Sequence, residues 1–210
     1  AAIIDAGAVE RIKDLVLHVP LSVQSEMTAC TAVLALSEDL KPQLLDMGIC
    51  EVLLPLTDSP SIEVQGNSAA ALGNLSSKAD DYSPFNAVWE KPAGGLHGYL
   101  VRFLESDDTT FQHIAVWTLI QLLESGNRDL EQHIRESPHL LQLVRQLQSR
   151  EDGSHTAEED VDGTNQDLSP EREIAALSRR IEEILFDDSD GDDECAGTVS
   201  YTHLTLPTIL

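Results

Sequence analysis

The sequence predicts an all-α solenoid, in which units of a few helices stack side by side. The chain repeats itself with a shift of 41 residues, which carries Gly7 to Gly48 and Gln24 to Gln65. The register continues from Gly48 to Gly95, with a few extra residues. Repeats of about 40–47 residues with helical apolar spacing are typical of helical arrays, whose units bury their apolar faces only by stacking.

Each unit is predicted to contain three helices. The shift of 41 also relates Ile12 to Leu53 and Leu34 to Leu75, which are apolar positions at helical spacing. The extra residues of the third unit fall within 77–94, where Asp, Pro and Gly predict a loop. The predicted helices cover residues 1–6, 8–17 and 22–37, then 41–47, 50–57 and 61–77, then 96–105 and 110–124, and finally 128–135, 138–148 and 169–186.

In the helix predicted over 22–37, Val23, Met27, Cys30 and Leu34 form an apolar stripe that we expect to be buried. Gly7 and Gly48 are expected at tight corners between the first and second helices of their units. The helix over 169–186 has one apolar face and one charged face, as expected of the last helix of an array.

The domain organisation that follows is a repeat array over 1–148, a disordered acidic loop over 149–168 and a capping helix over 169–186. An acidic disordered tail is expected over 187–198. Residues 199–210 lack helical period and resemble a translated sequencing adapter, so they are interpreted as non-native. The chain begins with Ala1 inside a repeat, and we interpret it as a fragment of a longer protein.

The formal net charge of −24 argues against binding to nucleic acid or directly to an anionic membrane. Much of this charge lies in the two acidic segments outside the predicted helices. The chain has three cysteines and no CxxC pair, which argues against a zinc ribbon and against a disulfide framework. An intracellular location fits this composition best.

The third helix of the second unit, with Ala69–Ala71 followed by Leu72, Gly73, Asn74 and Leu75, resembles the armadillo consensus. Asn74 occupies the family's Asn position, and Trp117 of the next unit occupies its aromatic position. The partners of these two residues in the family's motif are replaced, by Ala70 and Gln121. This incomplete pattern disfavours an importin-like peptide carrier, which remains an alternative.

The stretches VPLSVQSEMTACTAVLALSEDLKP, GNSAAALGNLSSK and YLVRFLESDDTTFQHIAVWTLIQLLES resemble the C-terminal repeats of the fungal vacuolar armadillo family. The resemblance implies a right-handed superhelix and a scaffold on the cytosolic face of the vacuole membrane. It implies roles in vacuole inheritance, nucleus–vacuole contacts and selective autophagy. The partners it implies are a nuclear-envelope contact protein, an autophagy adaptor and a myosin cargo adaptor. An acylated N-terminal region, absent from this sequence, would supply the membrane anchor.

The candidate protein-binding residues lie on third helices. They share one face within each helix and are Asn67, Asn74, His113, Trp117, Gln121 and Glu124. We interpret them as the lining of a groove, with Trp117 as an aromatic anchor. The alternatives are that Trp117 packs against the next unit and that the Asn side chains are simply solvent-exposed.

No catalytic motif, metal site or cofactor site is predicted. The acidic run at Asp188 lacks the Gly and the closing Glu of a calcium loop. Cys30 and Cys50 are expected in apolar surroundings that suppress thiolate formation. The sequence therefore predicts a non-enzymatic binding protein, with a purely structural cap of a longer solenoid as a further alternative.

Overall fold

The computed structural model describes residues 6–149 and 169–186. Over these residues the chain forms eleven α-helices and no strand. They are α1 (Ala8–Leu15), α2 (Leu21–Leu34), α3 (Lys41–Asp46), α4 (Ile49–Leu56), α5 (Ile62–Ser76), α6 (Ser83–Ala87), α7 (Gly95–Glu105), α8 (Thr109–Glu124), α9 (Arg128–Arg135), α10 (Pro138–Ser149) and α11 (Pro170–Phe186).

The helices group into four consecutive units. The first unit contains α1 and α2, and the second, third and fourth contain α3–α5, α6–α8 and α9–α11. The third helices α2, α5, α8 and α11 stack in that order, each packed against the next. The predicted helices are present, with ends that differ by one to three residues. Three predicted segments lie outside the described residues: the disordered segments at 150–168 and 187–198, and residues 199–210. Of the helix predicted over 1–6, only residue 6 is described.

Part of the expected loop over 77–94 is instead a helix, α6. Its five residues complete the third unit, so this unit has three helices like the second. Pro84 lies in the first turn of α6, where its missing N–H is no loss, and Phe85 is fully buried. The loop prediction was wrong here because a helix this short is flanked closely by residues that usually mark turns. Ser149, expected in the acidic loop, is the last residue of α10.

A glutamine near the start of the third helix recurs in the first three units and makes the same kind of bond in each. The side-chain amide of Gln65 donates to the carbonyl of Ser59, in the turn before α5. Gln24 and Gln112 make the same kind of bond, to the carbonyls of Val19 and Ser106. Each amide satisfies a turn carbonyl at the same place in its unit. The first three units therefore share a bond that connects the third helix to the turn before it.

Two corners between first and second helices require glycine. Gly48 precedes α4 with φ of 70°, a conformation that residues with a Cβ rarely adopt. Gly95 opens α7 with φ of 65°, and a Cβ there would lie 2.4 Å from the carbonyl oxygens of Val88 and Trp89. Gly7, which was predicted at such a corner together with Gly48, precedes α1 with φ of 74°. The predicted role of Gly7 and Gly48 is confirmed.

The apolar stripe predicted on α2 is only partly buried. Leu34 is buried, but Val23 is 42% exposed and Cys30 is also exposed. The buried positions of α2 include Thr28 and Thr31, whose hydroxyls donate to carbonyls one turn back within α2. The prediction was wrong for Val23 and Cys30 only, since Met27 is partly buried against the cluster of Val16, Leu56 and Val64. An apolar pattern alone does not tell which side of a helix a neighbour covers.

Small side chains allow the third helices to approach closely. From Gly66 to Ser76 every residue of α5 is buried, and Ala, Gly and Ser make up most of this stretch. α8 is buried almost as completely but carries large side chains, including Phe111 and Trp117. The core of the molecule is therefore continuous through the stack of third helices. None of the helices in the described ranges is sufficiently long and apolar to cross a membrane.

Candidate functional site: the faces of the third helices

The two predicted asparagines are buried and point towards the preceding third helix. Asn67 and Asn74 are 3% and 7% exposed. Nδ2 of Asn67 donates to the carbonyl oxygen of Ser25 at 3.3 Å, and Nδ2 of Asn74 donates to that of Ala32 at 3.1 Å. Donors and acceptors are each seven residues apart, so the two bonds keep α5 and α2 in one register. Simple solvent exposure, the alternative for these amides, is wrong.

The bond from Asn74 satisfies a carbonyl at a helix end. Ala32 lies in the last turn of α2, where carbonyls have no donor one turn further on. The N–H of Leu36 donates instead to Val33, at 3.2 Å. Ser25, the acceptor for Asn67, lies in the interior of α2. Asn74 therefore supplies a donor that the backbone lacks, whereas Asn67 adds a donor to a carbonyl that already accepts from the hydroxyl of Thr28 at 3.0 Å.

The other four predicted residues lie along α8, at the joint with α11. Trp117 is 8% exposed. Nε2 of His113 lies 3.3 Å from Oε1 of Glu173, which makes an ion pair when the imidazole is protonated. Oε1 of Glu124 lies 3.7 Å from Nε of Arg180. Gln121, between these charges, is partly exposed. The structure thus brings these side chains together along one edge of α8.

Sequence reasoning missed two exposed apolar residues next to the asparagines. Val33 is 58% exposed and Leu36 is 55% exposed. Val33 occupies the position that Asn74 and Gln121 occupy in the following units. Successive residues of a helix are about 100° apart around its axis. Val33 therefore lies about a quarter-turn from Ala32, whose carbonyl accepts the bond from Asn74 of α5. The repeat register itself could have identified Val33 as part of the same surface.

The chemistry of the described residues offers no activated nucleophile. Burial raises the pKa of the Cys50 thiol to about 12, so this group is protonated at neutral pH. Burial also raises the pKa of Tyr99 well above its usual range. Cys30 is exposed, contrary to the apolar setting expected for it. Within 6–149 and 169–186, no three His, Cys, Asp or Glu side chains are grouped so that they could hold a metal ion.

A family model for the Armadillo/beta-catenin-like repeat matches residues 37–77, which contain all of the second unit. The chain is also 55% identical over 185 residues to Vacuolar protein 8 of Gibberella zeae, which is 88% of this chain and 32% of that protein. The chain belongs to the armadillo-repeat family. The predicted all-α armadillo solenoid is confirmed.

The chain is similar to Vacuolar protein 8 of further fungi as well. Vacuolar protein 8 of Aspergillus fumigatus is 57% identical over 178 residues, covering 85% of this chain and 29% of that protein. Vacuolar protein 8 of Schizosaccharomyces pombe is 52% identical over 189 residues, covering 90% of this chain and 32% of that protein. The chain thus spans about a third of the length of the curated relatives it matches.

A solved structure supports the same fold. The crystal structure of an engineered protein superposes on this chain with a TM-score of 0.61. The superposed part is 86% of this chain and 67% of the engineered protein. The two sequences are 21% identical. The likeness therefore concerns the armadillo-like architecture alone.

Proposed function

We propose that this chain is a protein-binding part of a non-enzymatic scaffold on the cytosolic face of the fungal vacuole membrane. The observation that carries the proposal is the similarity to Vacuolar protein 8 of several fungi, which extends over 85–90% of the chain. Similarity at this level includes loops as well as buried positions, and the solenoid offers extended surfaces of the kind that repeat proteins use for binding.

The finer part of the proposal concerns partners. By resemblance to the vacuolar armadillo family, the partners are a nuclear-envelope contact protein, an autophagy adaptor and a myosin cargo adaptor. The scaffold would then serve vacuole inheritance, nucleus–vacuole contact and selective autophagy. Attachment to the membrane would come from lipid groups on an N-terminal region of the longer protein, with no direct membrane contact from this segment.

The proposed binding surface runs across the third helices. Its accessible members are Val33 on α2, Leu36 in the turn after α2, and Gln121 and Glu124 on α8. Asn74 lies between them, at the register position shared by Val33 and Gln121. An extended or helical segment of a partner would place apolar side chains against Val33 and Leu36 and a backbone group near Gln121. Asn67, His113 and Trp117 would shape this surface from below, as largely buried side chains.

The proposal is tested by capture from a fungal lysate on the immobilised full chain. The variants are Val33→Asp and Gln121→Ala, which change exposed positions of the surface, with Arg128→Ala on α9 as the matched control. We expect vacuolar proteins, identified by mass spectrometry, to be retained by wild type and by the control. Combining the two surface changes should reduce their recovery about tenfold, which corresponds to about 1.4 kcal/mol. Equal recovery by all variants would contradict the proposed surface.

A second function, as a structural cap of a longer solenoid, is favoured by a specific observation. Asn67 and Asn74 already donate to α2, and His113 and Glu124 already lie beside charges of α11. Such residues can hold the stack together without contacting a partner. In that case wild type captures no vacuolar protein, and Trp117→Ala lowers the melting temperature without changing any recovery.

A further inference from the structure

Three imidazoles and one indole meet where the third unit joins the fourth. Trp89 lies in the loop between α6 and α7 and is 7% exposed. His133 of α9 stacks on its ring, with centroids 5.2 Å apart and planes at 23°. His97 of α7 approaches the same ring at 5.7 Å and 47°. With His139 of α10, these side chains form what we call the Trp89 cluster.

The Trp89 cluster spans the joint between the two units. The backbone N–H of His97 donates to the carbonyl of Trp89 at 3.0 Å, which ties the loop to α7. Nε2 of His139 lies 3.2 Å from Oε1 of Glu105 and so connects α10 to α7. Near the cluster, Nδ2 of Asn86 donates to Oδ1 of Asn127 at 3.0 Å, again across the joint. A change of charge in the cluster therefore acts on the contacts between the third and fourth units.

A proton on His97 is disfavoured by its surroundings. Burial, and then the neighbouring imidazole of His139, hold the pKa of His97 below its ordinary value of 6.5, while Glu90 acts in the opposite direction. The unfolded chain therefore binds a proton at this residue before the folded chain does. The stability contributed by neutral His97 is present above about pH 6.5 and is lost as the pH falls below it.

The other charged groups of the cluster do not remove this effect. Nδ1 of His133 is buried without a hydrogen-bond partner, and its ring is held against the indole of Trp89. His139 gains from Glu105 when charged, but its charge then opposes a proton on His97. Glu90 and Glu105 are the acidic groups on the α7 side.

We propose that the Trp89 cluster is a pH-responsive joint: mild acidification loosens α7 and the preceding loop from α9 and α10, while the stack of third helices stays in place. The solenoid would then bend more easily between its third and fourth units. This inference does not depend on the proposed partners.

The first test uses Trp89 as the reporter. The chain has two tryptophans, so Trp117→Phe leaves Trp89 as the single tryptophan of the full chain, which is excited selectively at the red edge of its absorption. Between pH 7.5 and 5.5 we expect a sigmoidal change in its emission, with the helical circular dichroism signal unchanged. The same titration of Trp117→Phe/His97→Asn should lose most of the change. A flat emission in this range, or a change that coincides with loss of helix, would overturn the proposal.

The second test keeps both tryptophans and compares melting temperatures of the full chain at pH 7.5 and 5.5. We expect His97→Asn to reduce the difference between the two pH values by about 3 °C, since one differential protonation is removed. His18→Asn, at an exposed histidine before α2, is the matched control and should leave the difference unchanged. Because only differences between pH values are compared, a general destabilisation by the variant cancels. Equal differences in both variants would overturn the proposal.

Discussion

The joint between α2 and α5 and the joint between α8 and α11 hold neighbouring third helices together by different means. In the first, the side chains are small or neutral, and two carboxamides donate to backbone carbonyls across the joint. In the second, charged side chains make the contacts: His113 lies beside Glu173, and Glu124 lies beside Arg180. The register position that carries Trp117 in α8 carries Ala70 in α5.

This difference follows from the space between the helices. Where Ala70 and its small neighbours let α5 approach α2 closely, an amide reaches the backbone of the next helix. Between α8 and α11, contacts are made by longer charged side chains. The first joint should therefore be insensitive to salt, and the second should weaken as salt screens its charges. One family of units can thus contain joints that respond differently to the same change of conditions.

The largest expected effect is that of Trp117→Ala. Removing a nearly buried indole leaves a cavity in the core beside α8 and should cost about 3 kcal/mol in the free energy of unfolding. The measurement is urea unfolding followed by circular dichroism, with Trp117→Phe as the milder control. A loss below about 1 kcal/mol would show that Trp117 serves mainly as a surface anchor rather than as a part of the core.

The next effect separates the two asparagines. Asn74→Ala should cost about 1–2 kcal/mol, because the carbonyl of Ala32 at the end of α2 then loses the donor that Asn74 supplies. Asn67→Ala is the matched control, and its cost should be smaller because Ser25 lies within the helix. Urea unfolding at pH 7.5 and 5.5 should give the same difference at both pH values. A larger loss for Asn67→Ala would contradict the role assigned to the end of α2.

The smallest effect concerns the charges of the second joint. Glu124 and Arg180 are each about half exposed, so a double-mutant cycle of Glu124→Gln and Arg180→Gln should give a coupling below about 0.5 kcal/mol. The coupling should disappear at about 1 M salt, where the screening length falls to about 3 Å. A coupling that persists at high salt would mean that this pair contributes by packing rather than by charge.

Much of the fold could be predicted from sequence because the determinants of each helix are local. Ser61 and Asp108 cap the starts of α5 and α8 with their own side chains, and the glycines mark the corners. The repeat register placed the third helices correctly. The helix α6 was missed because five residues between turn-forming neighbours carry too little periodic pattern.

The site could be predicted only as positions on helices. The register showed that Asn74 and Trp117 occupy corresponding parts of their units, but not where their side chains point. The direction of Asn74 depends on a carbonyl 42 residues earlier, and that of His113 on Glu173 of a helix beyond a long connection. Such pairings depend on the distance between helices, which only the packed structure sets.

Native-state hydrogen exchange of the Asn67→Ala/Asn74→Ala variant tests most directly whether these residues join the third helices. Exchange is followed by mass spectrometry on peptides from α2, α8 and α11. We predict that amides of α2 exchange about tenfold faster than in wild type, as expected for a local loss of about 1.4 kcal/mol, while α11 stays protected. Unchanged exchange in α2, or an equal increase in all three helices, would contradict the account.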